Sequence, residues 1–117
     1  MCGYVAGFKQ RQAAAAERSR ELASRARESV HRAVERLKAI PEVRRIILYG
    51  SLAKGTLHQG SDIDFAVEGL PATSHFQVWA EIERDAGCTI DLQRLEELGD
   101  GFRQVILRYG EVLYTRP

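Results

Sequence analysis

Two aspartates one residue apart, Asp62 and Asp64 in SDIDFAV, are the first place in this sequence where side chains can do chemistry together. In a strand, residues two apart project from the same face, so both carboxylates point one way while Ile63 turns into a core. Like charges held that close raise each other's pKa unless a cation lies between them. Oxygen-only ligands favour magnesium or manganese over zinc. A plainer reading has Asp62 capping a turn and Asp64 solvated at a strand end, but a solvated carboxylate has no need of a partner on its own face. Asp91, in the apolar run CTIDL, adds a third acid where an unpaired carboxylate would be costly to bury. If its strand lies beside that of Asp64, three carboxylates meet. Such a group can hold two metal ions that orient a nucleophile and neutralise a triphosphate.

The same region offers a place for phosphate. Gly50-Ser51 follows an apolar run, VRRIILY, and precedes a short possible helical turn. A strand-to-helix turn aims free backbone N–H groups at one point, and the missing side chain of Gly50 lets an anion come close. Ser51 adds a hydroxyl donor and Lys54 a positive charge. Alone, a Gly-Ser turn is commonplace, and it is the aspartates beyond ten intervening residues that give it meaning.

The elements that must position these groups are legible in outline. From about Phe8 to Ile40 there is no Gly or Pro, and Leu22, Ala26, Val30, Ala33, Val34, Leu37 and Ile40 recur at steps of three and four, the stripe of an amphipathic helix. Pro41 ends it. Strands are expected at 43–49, 63–67, 88–92 and 111–115, a helix at 75–86 stopped by Gly87, and a short helix at 101–109. On the 75–86 helix, Phe76, Trp79, Ala80 and Ile82 are expected on one face, Phe76 and Trp79 as core rather than as a platform for bases. The order implies a small mixed β-sheet with packed helices, an α/β (α+β) domain. We divide the chain into a disordered N-terminus (1–7), a long N-terminal helix (8–40) that is either part of the same domain or an interaction arm, and the domain proper (41–117).

Composition narrows the function classes. The chain has 117 residues, of which 44% are hydrophobic and 28% charged, the balance of one ordinary globular domain. Two cysteines are too few for a disulfide framework. With no signal-like N-terminus and no run of about 20 apolar residues, the expected location is cytoplasmic, with no membrane partner. The net charge of +1 conceals an asymmetry: residues 8–40 carry nine bases against four acids. RNA binding by this arm is the weakest reading, given the interspersed glutamates and no aromatic platform.

Gly50-Ser51, ten intervening residues and then Asp62-Ile63-Asp64, with Asp91 in a later strand, together resemble the signature of the DNA polymerase β-like nucleotidyltransferase superfamily. Over residues 43–114 the chain is similar to its minimal nucleotidyltransferase (MNT) branch, including GSLAKG, SDIDFAV and the closing GEVLY. The resemblance implies that Gly50 and Ser51 hold nucleotide phosphates, with Lys54 assisting. It implies that Asp62 and Asp64 bind both magnesium ions, and that Asp91 completes one metal site and helps deprotonate the acceptor. Leu52 departs from the pattern, standing where some relatives have arginine, which leaves the triphosphate less well neutralised.

The function so implied is a magnesium-dependent transfer of a nucleoside monophosphate, AMP from ATP, to a hydroxyl. Only 26 residues follow Asp91, too few for the helical acceptor domain of larger relatives, so the acceptor is expected on another chain. MNT proteins resemble the antitoxin of MNT–HEPN pairs, which adenylylates a tyrosine of a HEPN ribonuclease toxin. The long helix would then serve docking or self-association, the latter giving a homo-oligomer. The alternatives are a catalytically weak nucleotide-binding or steric partner of a HEPN protein, and a subunit of a small-molecule nucleotidyltransferase.

Overall fold

Alternation within the strands sorts the apolar residues onto two faces of one sheet, and the helices follow. The computed structural model describes residues 2–50, 53 and 62–117, with side chains from Glu17 onward except Ser19. Its elements are α1 (Cys2–Lys38), β1 (Arg45–Tyr49), β2 (Ile63–Glu68), α2 (His75–Ala86), β3 (Ile90–Arg94), α3 (Asp100–Tyr109) and β4 (Glu111–Thr115), with short 3-10 turns at Ala72–Ser74 and Leu95–Glu97. The strands form a four-stranded mixed sheet in the order β3-β2-β1-β4. β1 runs antiparallel to both β2 and β4, and β2 runs parallel to β3, the crossover between them being α2.

One face of the sheet carries Ile46, Leu48, Ile63, Phe65, Val67, Ile90 and Leu92, packed with Ala26, Val30, Ala33 and Leu37 of α1 and with Val78 and Ile82 of α2. Phe65 and Leu37 are wholly buried, each contributing on the order of 2 kcal/mol by removal from water. The opposite face carries Ile47 and Ala66, covered by Leu95 and by Ile106 of α3. Ion pairs on the first side join Arg36 to Glu81 (2.6 Å) and Asp85 (3.1 Å), and Arg27 to Glu111 (2.8 Å).

The helical backbone of α1 runs from Cys2 to Lys38. At about 1.5 Å per residue its 37 residues span about 55 Å, close to the 61 Å long axis of the molecule. The helix ends at Lys38, two residues before Ile40, where Val43 N–H bonds to the Ile40 carbonyl. β3 begins at Ile90 rather than Cys88: Gly87 closes α2 in the left-handed region (φ +66°), and Thr89 reaches β2 first, its carbonyl accepting from Ile63 N–H. Phe76 departs from expectation, being 78% exposed. The inward side of α2 is set by His75, Val78 and Ile82, with Trp79 partly buried beside them. Among the described residues no helix is long and apolar enough to cross a membrane.

Candidate active site

Register brings the acids together. In the parallel β2–β3 pair Asp64 lies opposite Asp91, and in the antiparallel β1–β2 pair Tyr49 lies opposite Asp64. Paired residues share a face, so Tyr49, Asp64 and Asp91 form a row across three strands. They lie on the side of Ala66 and α3, away from the core that holds Phe65. Tyr49 also meets Phe102 of α3 edge-on, with ring centroids 5.7 Å apart. The pairing of Asp64 with Asp91 supplies the strand adjacency that the sequence reading required.

Asp91 stands on an edge strand, whose outer backbone groups need partners. Side chains of α2 and its last turn supply them. Trp79 Nε1 donates to the Ile90 carbonyl (2.6 Å), His75 Nε2 donates to the Leu92 carbonyl (2.6 Å), and the Ile90 N–H donates to Glu83 Oε2 (3.0 Å). The residues on both sides of Asp91 are therefore gripped by one helix.

The acids crowd one another electrostatically. The Asp64 carboxyl is pushed up to about 6, first by partial burial, then by the charges of Asp91 and Asp62. Burial, with Asp91 and Asp64 adding to it, also holds the Tyr49 phenol well above its ordinary value. Asp62 is exposed just ahead of β2 and acts on Asp64 through its charge. Among the described residues no group of three or more His, Cys, Asp or Glu side chains is placed to hold a metal ion. The pair abreast in register is nevertheless a set of hard oxygens whose repulsion a divalent cation would relieve, and the donor chemistry fits magnesium.

Gly50 has a left-handed backbone (φ +78°), and a Cβ there would press on the Asp64 carboxylate. The absent side chain, read from sequence as room for phosphate, is thus also room for Asp64. Ser51, Leu52 and Lys54 lie outside the described residues. Two residues of the site were missed from sequence. Tyr49 entered only as the end of the apolar run VRRIILY, and Gln93, whose Nε2 donates to Asp91 Oδ1 at 2.6 Å, was not singled out. Strand parity points to both, since 93 and 91 share a face and 49 immediately precedes the glycine turn.

The model of the family "Polymerase beta, Nucleotidyltransferase" matches residues 32–117. The chain belongs to this nucleotidyltransferase family. The match covers every strand and the part of α1 that ends on the sheet. No curated protein matches the sequence. Among solved structures, this nucleotidyltransferase is similar to a toxin–antitoxin crystallised with AMP-PNP (24% identity, TM-score 0.64, covering 76% of this chain and 73% of that one). It is similar to a mutant of the MntA–HpeT toxin–antitoxin (26% identity, TM-score 0.64, 74% and 72%). A third structure holds the tri-AMPylated HEPN toxin of Shewanella oneidensis in complex with MNT antitoxin (20% identity, TM-score 0.62, 77% and 72%). The likeness is one of fold, and with the family match it makes the mixed sheet of this chain a nucleotidyltransferase sheet.

Proposed function

We propose that this nucleotidyltransferase moves AMP from ATP to a tyrosine hydroxyl of a HEPN toxin, silencing it as an antitoxin does. The observation that carries the reading is Asp64 opposite Asp91 in adjacent strands, beside the Gly50 turn. The toxin–antitoxin solved with AMP-PNP and the AMPylated HEPN toxin held by an MNT antitoxin support the choice of nucleotide and partner.

In this mechanism Gly50, Ser51 and Lys54 bind the triphosphate, the backbone N–H groups and the lysine charge meeting the phosphate oxygens. Asp62, Asp64 and Asp91 would hold magnesium, which supplies charge neutralisation along the triphosphate and at the leaving pyrophosphate. Asp91 accepts the proton of the attacking hydroxyl. The tyrosine oxygen bonds to the α-phosphorus, the bond from that phosphorus to the bridging oxygen breaks, and pyrophosphate departs with the electron pair. Tyr49 stands opposite Asp64 in the row and meets Phe102 of α3 edge-on. The exposed apolar residues Phe102, Val105 and Tyr109 of α3, over the same sheet face, offer a protein acceptor area to lie against.

The test is to incubate the chain with ATP labelled at the α-phosphate, magnesium and a purified HEPN protein. Label on a toxin tyrosine, lost in Asp62→Asn and Asp64→Asn, is the expected result. A toxin that is silenced while its mass stays unchanged would replace this reading with that of a steric partner.

A further inference from the structure

Gln93 and Asp91 stand two residues apart on β3, on the same face, and the Gln93 amide nitrogen donates to Asp91 Oδ1 at 2.6 Å. The pair is partly buried, and Gln93 lies opposite Ala66 of β2. Alanine is small enough to leave the glutamine room to lie along the strand toward Asp91. A carboxylate has two oxygens with about four lone-pair directions between them, so one amide donor on Oδ1 fixes the plane of the group while leaving Oδ2 and the remaining lone pair of Oδ1 for other work. The donor is neutral, so it orients Asp91 without cancelling the negative charge that the site uses.

We infer that Gln93 is a positioning residue, which sets the Asp91 carboxylate so that a divalent cation can be shared with Asp64. This rests on the reading of the acidic row as a cation site. The physical case is that, among the described residues, β3 is an edge strand with no further strand beside it. A free Asp91 would sample several rotamers and swing away from the repelling carboxylate of Asp64 opposite. Holding it there costs rotamer freedom and electrostatic energy in the cation-free chain, and the Gln93 hydrogen bond offsets both. Partners that orient a ligating carboxylate in this way usually matter to cation affinity by tenfold or more.

The experiment measures Mn2+ binding to the full chain by the loss of free-ion paramagnetic resonance signal, for wild type, Gln93→Leu, Gln93→Glu and Asp64→Asn. Thermal melts in chelator establish that each variant is folded. The Mg2+ concentration for half-maximal pyrophosphate release is read alongside. We expect Gln93→Leu to weaken Mn2+ binding about tenfold and to raise the half-maximal Mg2+ by a similar factor, with most of the rate restored at saturating Mg2+. Gln93→Glu keeps the shape but replaces the donor by an acceptor; it should lose the orienting bond and shift the half-maximal Mg2+ too, so a folding defect in the leucine variant would not decide the matter. Wild-type Mn2+ affinity in both Gln93 variants, with weakened binding in Asp64→Asn, overturns the role of Gln93 and leaves the cation site standing. Unchanged binding in Asp64→Asn overturns both.

Discussion

The carboxylate of Asp64 occupies the space into which a side chain at Gly50 would grow: a Cβ built there lies 3.1 Å from Asp64 Cγ and 3.4 Å from its Cβ, and nearer still to Oδ2. The turn and the acid are thus one unit, each shaped by the other. Gly50→Ala adds this collision to a left-handed backbone (φ +78°), where an L side chain costs about 1–2 kcal/mol. Gly87 is the natural control, since it has a similar backbone (φ +66°) and nothing within 4 Å of its would-be Cβ. Both alanine variants should lose stability in urea melts, Gly50→Ala by more, since it alone adds the collision with Asp64. Only Gly50→Ala should lose nucleotidyl transfer, by about a hundredfold, the scale of a displaced reacting group. Equal activity in the two variants would separate the turn from the site.

Acid stability follows from the same carboxylate. The Asp64 carboxyl titrates near 6 in the folded chain against 3.8 ordinarily, so over that interval the folded state holds a proton that the unfolded state has released. A raised folded pKa contributes stability that is complete below about 3.8 and is lost as pH climbs through about 6. In chelator, the melting temperature of wild type should therefore decline from pH 4 to pH 7 relative to that of Asp64→Asn, which has no such proton to lose. Parallel profiles for the two would contradict the crowding of Asp64 by burial, Asp91 and Asp62.

How far could this have been read from sequence? α2 and β4 fall on their expected residues because Gly87 and Gly110 bound them and their apolar spacing is unambiguous. Asp62 and Asp64 stand out in the sequence because they lie two apart, and Asp91 because a carboxylate inside an apolar strand has few explanations. What the sequence could not supply was register. Nothing in CTIDLQR says which residue of β2 faces Asp91, and only the parallel pairing through the α2 crossover puts Asp64 there. Gln93 escaped for that reason: a polar residue near the end of an edge strand reads as solvated until its neighbour is known. Phe76 misled because a large aromatic at helical spacing suggests core, yet His75 at the position before it takes the inward place.

The far end of the C-terminal strand is fastened by Arg116. Arg116 Nε donates to the Val43 carbonyl (2.8 Å), and its Nη2 donates to the carbonyls of Ile40 (2.9 Å) and Lys38 (3.1 Å), the last of these at the end of α1. A cation at a helix C-terminus also meets the negative end of the helix dipole. Arg116→Ala removes all three bonds and leaves part-buried carbonyls without a donor. Loss of about 2 kcal/mol in denaturant midpoint measurements is expected, with nucleotidyl transfer per folded molecule unchanged, since Arg116 projects from the far end of the sheet from Gly50. Arg116→Lys should recover little, having no planar fork to span three acceptors.

Trp79 and His75 make the last case, because they close the open edge of the strand that carries Asp91. Trp79→Phe keeps the ring in place and deletes only the donor to the Ile90 carbonyl; His75→Phe does the same at Leu92. Each should cost about 1 kcal/mol in urea, the usual worth of a hydrogen bond whose acceptor stays behind. If the grip serves only the fold, transfer activity below the melting transition will match wild type in both. Because these bonds flank Asp91 on either side, we expect instead that the double variant loosens β3, seen as faster amide exchange at Asp91 and Gln93 than at Phe65 in β2. The same variant should need a higher magnesium concentration for half-maximal pyrophosphate release. Exchange that rises equally across β2 and β3 would mean that the sheet, and not the edge strand alone, had been weakened.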